Sequence, residues 1–593
     1  MAEKRNFLGV RQSANGIAWR PRLDERGERQ ALALAQTTAI SETIARVLIG
    51  RSVPSEKAES FLHPTLRDLL PDPSSLTDMD KAADRLADAV LRKEPVAIFG
   101  DYDVDGASSS ALMHRFLRHY GVSSEIYIPD RVFEGYGPNP AAMRALVERG
   151  AKLIVTVDCG TNSQESIAAA NELGVDVVVL DHHQVSGALP AAVAVVNPNR
   201  HDDLSGQGHL CAAGVVFLTL VRTRRVLAER LPYVEPVNLM QMLDLVALAT
   251  VCDVVPLLGV NRAFVRRGLD VIAGGANLGL AALGRVSRLS ERVNAYHLGF
   301  LLGPRINAGG RIGDAALGSR LLATEDAGEA DRIAFTLEGL NKERQELEAV
   351  MLAEARAEAD AELMGEGPGV LVTGSERWHP GVVGLLASRL KDHARRPAFA
   401  IAFNPQGIGT GSGRSISGID LGGLVRRAVE TGLLEKGGGH AMAAGITVRR
   451  EKLGDLRAFF EAEAAAAVKK IRAEEALLID AAVSAEGANL ALLDEIEQAG
   501  PYGSGHPSPT FALPRHRIAD MRVVGANHVQ LQLSSQGGGR IKAMAFRAAD
   551  SELGQFFRTH MGRPLHFAGS LSANYWNGAR RAEFRVSDAA LSE

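Results

Sequence analysis

The sequence predicts an α/β protein: a parallel-sheet unit and a second α/β unit joined by a long helix, followed by a small C-terminal β-barrel. Three observations predict it. Between Lys81 and about Leu258, short β-branched apolar runs alternate with helical segments. A Gly- and Pro-free run rich in Ala, Glu and Leu, 340–364, then separates this region from a second one of mixed type. After Leu477 the texture changes to short β-rich runs broken by Gly, Asn and Pro. At 593 residues the chain is too long for one core, and ordinary domain sizes suggest roughly three to five domains.

Residues 1–75 read as a helical lead-in ("AISETIARVLIGR", "SEKAESFLHP"). The parallel-sheet unit, 76–290, offers strands "PVAIFG" (95–100), "EIYIP" (125–129), "KLIVTV" (152–157), "VDVVVL" (175–180) and "AVAVVN", ending at Asn197. Continuous apolar runs of this kind suit strands covered on both faces. Helical stretches such as "ASSSALMHRFLRHYG" and "SQESIAAANELG" fall between them, the pattern of a doubly wound sheet. In a connector, 291–365, "AGEADRIAFTLEG" and the 340–364 run form one long helix, stopped by "GEGPG". The second α/β unit, 366–475, contains "GVLVTG", "RPAFAIAF" and "AMAAGITV" and closes on "LGDLRAFFEAEAAAAVKKIRAEEA". From 476 to 593, "RIADMRVVG", "HVQLQLSS", "RIKAMAFR", "PLHFAGSLS" and "AEFRVSDA" have the spacing of a small barrel of OB type.

Composition narrows the class. Apolar content is 46% and charged content 23%, as in an ordinary soluble enzyme. No run approaches the ~20 apolar residues of a membrane span, and the N-terminus lacks the apolar core of a signal peptide. Three cysteines, an odd number, favour a reducing cytoplasm over a disulfide framework. The net charge is −4. Locally it reverses: Pro501 to the end carries 11 Lys/Arg against 6 Asp/Glu, and Glu366–Arg449 carries 10 against 6. Basic faces are therefore available on an acidic chain.

The chemistry lies at strand ends. "GDYDVDG" places Asp101, Asp103 and Asp105 at the C-terminal mouth of a buried strand, the usual ligand crevice of an open α/β sheet. Carboxylates this close repel one another, and a divalent cation removes the conflict. An EF-hand is excluded, because a strand precedes and the later acidic ligand is missing. "KLIVTVDCG" ends in Asp158, and "VDVVVLDHH" in Asp181, His182 and His183. A lone strand-end Asp is often a helix cap, but three neighbouring ends, one with paired histidines, point to metal. "LDLVALATVCDVVPL" adds Asp253, with capping as its alternative. Oxygen ligands plus imidazole suit Mn²⁺ or Mg²⁺. So many ligands suggest two ions, the arrangement of phosphodiester hydrolysis, with Asp158 as the shared carboxylate. Cys159 and Cys252 read as small buried neighbours of the site rather than thiolate ligands.

These motifs, "GDYDVDG", "VDCG", "LDHH" and "VCDVVPL", resemble in order those of the DHH phosphoesterase superfamily. "GSGRS" (411–415) and "GGGHAMAAG" (437–445) resemble the associated DHHA1 domain. "GPRINAGGR" (303–311), "RWHPGVVGLLASRL" (377–390) and "GPYGSGHPSPTF" (500–511) are similar to stretches of the RecJ single-strand-specific exonucleases. The resemblance covers about 75–590. It implies that Asp103, Asp105, Asp158, His182 and Asp253 ligate metal, with Asp101 and His183 beside them, and Asp101, His183 and Asp158 as the catalytic set. It also implies that Arg414 with Ser415, and His440, face phosphate. Arg305, Asn307, Arg311 and His379 join this strand-binding set, with ion-paired or capping roles as the alternative. In the barrel Tyr502, Phe546, Tyr575 and Trp576 interleave with Arg547, Arg580 and Arg581; Tyr575 and Trp576 are the better stacking candidates because an Asn-Gly turn follows. The chain departs from the family pattern with His506 in place of Asn, Tyr502 in place of Phe, and Gly437 in place of Phe.

The resemblance implies a cytoplasmic 5′→3′ exonuclease of single-stranded DNA that releases 5′-mononucleotides with two Mn²⁺ or Mg²⁺ ions. Expected partners are single-strand-binding protein and repair or recombination factors; no membrane is expected, and the protein is expected to be a monomer. The rivals are a DHH enzyme for short oligonucleotides or cyclic dinucleotides, which tends to lack the barrel, a catalytically silent strand-binding scaffold, and a soluble pyrophosphatase, whose second domain would lack the "GGGH" loop.

Overall fold

The computed structural model describes residues 5–130, 134–135, 137–576 and 579–592, with the Trp576 side chain outside that description. The first strand, β1 (Ala18–Pro21), carries Trp19, whose side chain is fully buried. Two helices follow, Glu25–Thr37 and Glu42–Ile49. Each starts at a side-chain cap: Gly27 N–H donates to Asp24 and Ile44 N–H to Ser41.

The first sheet contains β2 (Val96–Gly100), β3 (Ser124–Tyr127), β4 (Leu153–Val157), β5 (Asp176–Leu180) and β6 (Ala194–Val196). Its order is β3-β2-β4-β5-β6, parallel throughout. Every residue of β2 and β4 is buried, which is why both read as unbroken apolar runs. Helices Met79–Arg92, Val104–His119, Ala212–Arg230 and Leu243–Cys252 cover one face, and Pro140–Glu148 and Gln164–Asn171 the other. β2, β4 and β5 end side by side, so their following aspartates meet at one edge.

The first core does not stop where the sheet does. It continues through helices to Ile306, Leu321 and Leu337. The long helix, Ala327–Glu362, spans 36 residues, about 54 Å. Its first turns (Ala330, Ile333, Leu337) pack in the first core, and its last (Met351, Ala355, Ala359) pack under the second sheet. It is thus a strut seated in both units.

The second sheet comprises β7 (Leu371–Ser375), β8 (Ala398–Phe403), β9 (Ile408–Arg414), β10 (Lys436–Gly439) and β11 (Ala443–Arg449), in the order β10-β11-β9-β8-β7. The β7–β8 pair is parallel and the rest antiparallel. Helix Leu453–Glu474 leads to β12 (Ala476–Ile479), which pairs in parallel with β1.

The last unit holds β13 (Ala481–Ala482), β14 (Phe511–Val524), β15 (His528–Ser534), β16 (Arg540–Ala545), β17 (Leu565–Trp576) and β18 (Ala579–Leu591). Strands β14-β15-β16-β18-β17 close on β14 into a five-stranded barrel. Its interior is filled by Phe511, Leu531, Phe557, Phe567 and Phe584. The N-terminal segment is bound to this unit: Trp19 Nε1 donates to Asp588 at 2.9 Å, and Ala499 enters the core of the first helices. Among the described residues no single helix is long and apolar enough to cross a membrane.

Candidate metal centre

The site forms where β2, β4 and β5 end. After Gly100 the chain turns sharply into helix Val104–His119. Gly106 permits the turn: a Cβ there would lie 2.4 Å from the Asp101 carbonyl oxygen. Asp103 caps the helix, its Oδ1 accepting from the N–H groups of Asp105 (2.9 Å) and Gly106 (3.1 Å). Asp105 is buried, and its two oxygens accept from the N–H groups of Ala212 (2.6 Å) and Ala213 (2.8 Å) at the start of the next covering helix. The positive end of that helix dipole offsets part of its charge.

Asp158 follows β4 with φ +61°, a left-handed conformation that a side chain adopts only at a cost of about 1–3 kcal/mol. The conformation places its carboxylate against His182: Oδ1 lies 3.3 Å from His182 Nε2. Asp253 Oδ2 and Asp105 Oδ2 lie 3.6 and 3.7 Å from the same nitrogen. His182 Nδ1 meets the Leu210 carbonyl at 3.1 Å. That bond fixes the proton on Nδ1 and turns the Nε2 lone pair toward the carboxylates, as in a histidine built to hold metal.

Two ligand groups result, Asp101–Asp103–Asp158 and Asp105–His182–Asp253, each with atoms within 4.8 Å of one another. A third, Asp158–His182–His183, bridges them. Asp158 Oδ1 and Asp253 Oδ2 are buried and accept no hydrogen bond. Burial, followed by the charges of the neighbouring aspartates, pushes the carboxyls of Asp158 and Asp253 well above the usual range. Asp105 is raised too, by burial first. Buried oxygens without donors, facing an imidazole lone pair, fit divalent cations; the residues present suit Mn²⁺ or Mg²⁺.

Asp181 does different work. It accepts from the N–H groups of Thr161 (3.0 Å), His182 (2.7 Å) and His183 (3.2 Å), and from His183 Nδ1 at 2.8 Å. Burial alone would raise it, but the His183 hydrogen bond and charge hold it far below the usual range. Burial would likewise lower His183, yet Asp181 pushes it up to about 9. The Asp181 carboxylate therefore favours the imidazolium form of His183. The strand-end reading counted Asp181 as a potential ligand; its oxygens are instead spent on orienting the two histidines. Burial raises the thiols of Cys159 and Cys252, so both stay protonated beside the centre.

The strand-binding candidates separate. His440, on the turn after β10, brings its ring to 6.5 Å from His183 across the cleft. Arg311 donates to the Gly381 carbonyl at 3.1 Å, and His379 Nδ1 accepts from Gly381 N–H at 3.1 Å, which joins the connector to the second unit. Asn307 keeps a buried Oδ1 without a donor. Arg305 is buried, and its guanidinium is spent on Glu338 and the Leu301 carbonyl. Ser415 is buried and donates to the Ile419 carbonyl at 2.8 Å, so its hydroxyl faces the fold rather than phosphate. "GSGRS" does not form a phosphate loop: most of it is β9, bonded on both sides to β8 and β11, so its amides belong to the sheet. Its glycines make room for Phe399 and Ile446. Arg414 donates within this strand, to Ser412 Oγ at 2.8 Å and the Gly413 carbonyl at 2.9 Å.

On the barrel Tyr575 is half exposed, and the side chain of Trp576 lies outside the described residues. Arg580 is paired with Asp494 and Glu497. Tyr502 is not a stacking surface: it packs on His506, ring centroids 4.9 Å apart. A different aromatic strip stands exposed. Tyr296 (56% exposed) stacks on Phe300 (72%), centroids 5.0 Å apart. Arg585 of β18 lies 5.8 Å from the Tyr296 centroid and 5.5 Å from that of Phe546. The strip crosses from the connector to the barrel. Its first turn adjoins the metal centre, since Cys252 Sγ donates to the Leu298 carbonyl at 3.3 Å. "AYHLGFLLG" reads as an apolar core helix, so nothing in the sequence marks these rings as exposed.

Comparison with known proteins accounts for the arrangement. The DHH family N-terminal domain matches residues 95–250, the DHHA1 domain 367–466 and the RecJ OB domain 479–588. The chain is 36% identical over 530 residues to the single-stranded-DNA-specific exonuclease RecJ of Salmonella typhimurium, covering 86% of this chain and 90% of that protein. It is 33% identical over 566 residues to the Bacillus subtilis RecJ, covering 94% and 69%. The RecJ of Thermus thermophilus in complex with Mn²⁺ superposes with a TM-score of 0.77 at 29% identity, covering 96% of this chain and 78% of that one. Relatives this similar, aligned along nearly the whole chain and sharing its order of domains, establish that it belongs to the RecJ family of single-stranded-DNA-specific exonucleases.

Proposed function

We propose that this protein is a 5′→3′ exonuclease of single-stranded DNA that hydrolyses the terminal phosphodiester and releases 5′-mononucleotides. The observation that carries the reading is the pair of buried, donorless carboxylate oxygens on Asp158 and Asp253, both facing His182 Nε2. Two Mn²⁺ or Mg²⁺ ions, when bound, supply Lewis acidity toward water and the phosphoryl oxygens. Asp101, Asp103, Asp105, Asp158, His182 and Asp253 would hold them, with Asp158 of the first group adjoining the second through His182.

The chain's own residues do the rest. Asp103 and Asp105 are fixed by backbone N–H groups, so the cluster needs little rearrangement to bind. The bond broken joins phosphorus to the 3′-oxygen of the terminal nucleotide; water supplies the new oxygen on phosphorus. His183, charged and oriented through Nδ1 by Asp181, can give its Nε2 proton to the departing 3′-oxygen. His440 closes the opposite side of the cleft and positions the phosphate backbone.

The rings of Tyr296, Phe300 and Phe546 and the Arg585 guanidinium offer stacking surfaces to the rest of the strand. A platform reaching onto the barrel suits a long strand better than a cyclic dinucleotide. Single-strand-binding protein and repair or recombination factors fit as partners of such an enzyme.

Digestion of single strands labelled at the 5′ or the 3′ end, with Mn²⁺, Mg²⁺ or chelator, tests the reading. The 5′ label should appear in mononucleotides from the first turnovers, and chelator should abolish it. Early release of the 3′ label, or chelator-resistant cleavage, would refute it.

A further inference from the structure

Asp253 is the one ligand of the centre that belongs to no strand end. It follows the last residue of helix Leu243–Cys252, and Val254 after it has φ +60°. What holds this turn comes largely from the far end of the chain. Leu257 N–H donates to the Ser504 carbonyl at 2.8 Å. Gly505, at φ +70°, lies against Pro256, where a Cβ would come to 3.0 Å, and a Cβ on Gly503 would come to 2.8 Å from Leu257. Asn261, buried, donates to the Pro256 carbonyl at 2.9 Å and to the His209 carbonyl at 2.7 Å.

One residue further on, Arg262 drives a buried guanidinium into the same loop of the barrel unit. It donates to the carbonyls of Ala499 (3.0 Å), Gly500 (2.7 Å) and Pro501 (3.2 Å), and to that of Phe61 in the N-terminal helices (3.2 Å). Its guanidinium carbon lies 3.7 Å from the Phe61 ring centroid. His506 and Tyr502 stack face to face beside it, and His506 meets the Ala499 carbonyl at 2.9 Å. A buried arginine held by four carbonyls and no carboxylate gains little in stability over an apolar side chain. It does fix geometry: one guanidinium ties three parts of the chain together, the helix after the turn, the 499–501 segment and Phe61.

We infer that the loop 499–507, clamped by Arg262, positions Asp253, so that docking of the barrel unit sets the affinity of the Asp105–His182–Asp253 group for its cation. Arg262, Gly503 and Gly505 are positioning residues acting through the 254–258 turn. The inference rests on reading the acidic cluster as a cation pair. Because coupling is reciprocal, a cation bound there also tightens the docked loop.

The test is Mn²⁺ titration of the full chain by calorimetry and by electron paramagnetic resonance, with Gly505→Ala and Arg262→Met beside wild type. Gly505→Ala puts a Cβ on a left-handed residue against Pro256; it disturbs the turn without touching a ligand. Displaced outer support of a metal ligand typically lowers affinity about 10- to 100-fold. In each variant one Mn²⁺ should weaken by that factor while the other keeps its wild-type affinity. In wild type, hydrogen exchange of peptides covering 254–262 and 499–507 should slow when Mn²⁺ is added. A folded Gly505→Ala protein that binds both ions as wild type does, with exchange of 499–507 indifferent to Mn²⁺, would overturn the coupling. Wild type that binds no Mn²⁺ would instead overturn the cation-pair reading.

Discussion

Replacing Asp181 by Asn separates ligation from orientation. Asp181 is buried, accepts four hydrogen bonds and lies outside the ligand groups. Asn keeps the shape but loses the charge, and its amide must turn a donor toward either Thr161 N–H or His183. A buried donor facing a donor costs about 1–3 kcal/mol. Without the carboxylate, His183 falls from about 9 toward its ordinary 6.5, a loss of about 3 kcal/mol in favour of the imidazolium. At pH 7.5 the charged fraction then drops from nearly all to about one tenth. The Asn variant should therefore bind two Mn²⁺ but turn over about 10-fold more slowly at pH 7.5, more if the ring also tilts. The deficit should shrink toward pH 6. Stability has the same sign: the ion pair's contribution is complete below pH 6.5 and disappears as pH rises through 9, so the gap between the two proteins' melting temperatures should narrow there to what the donor–donor contact costs. The assay is kcat against pH on end-labelled single strands at saturating Mn²⁺. A basic limb unmoved by the substitution would refute the assignment of His183 as proton donor, and loss of a bound Mn²⁺ would make Asp181 a ligand.

Asp158→Asn should cost at least one of the two Mn²⁺ ions and the nuclease activity, whereas Asp253→Asn should weaken one ion selectively; calorimetric stoichiometry distinguishes them. Phe300→Ala should weaken binding of a long single strand by about 1–3 kcal/mol, roughly 5- to 150-fold, and leave Mn²⁺ binding alone; fluorescence anisotropy that finds no change would remove the strip from the strand path. Burial pushes His506 down to about 3, below its unfolded value of about 6.5. Its stabilising neutral form is complete above pH 6.5 and costs progressively more as pH falls. His506→Asn should then lose about 2 kcal/mol less than wild type between pH 6.5 and 4.5, read as a smaller drop in melting temperature.

The parts legible in the sequence were those whose cause is local. Unbroken β-branched runs marked β2, β4 and β5, and each strand carried its aspartate with it, so the sheet edge that unites Asp101, Asp158 and His182 followed from strand pairing. The long helix was legible from composition. What misled were residues whose partner is remote or whose neighbours fill a gap. "GSGRS" looks like a turn because glycine usually is one; it is a strand whose missing side chains admit Phe399 and Ile446. Arg305 looks like a phosphate ligand until Glu338 appears beside it on the strut. Trp19 finds Asp588 at a separation of 569 residues, and no local pattern carries that information.

The raised carboxyls yield one more consequence. Burial and mutual repulsion lift Asp105, Asp158 and Asp253 above the ordinary 3.8. Between 3.8 and those raised values the folded protein holds more protons than the unfolded chain, so in chelator acidification stabilises it through these groups. Cations displace the same protons, and their affinity falls as pH falls. The two effects act in the same direction on one quantity, the rise in melting temperature on adding Mn²⁺ to chelated protein. That rise should grow as pH is raised, because acid relieves the repulsion that Mn²⁺ would otherwise relieve. A rise independent of pH would mean that the carboxylates carry no excess protons when empty, and that the cluster is stabilised by something other than the cations it is built to receive.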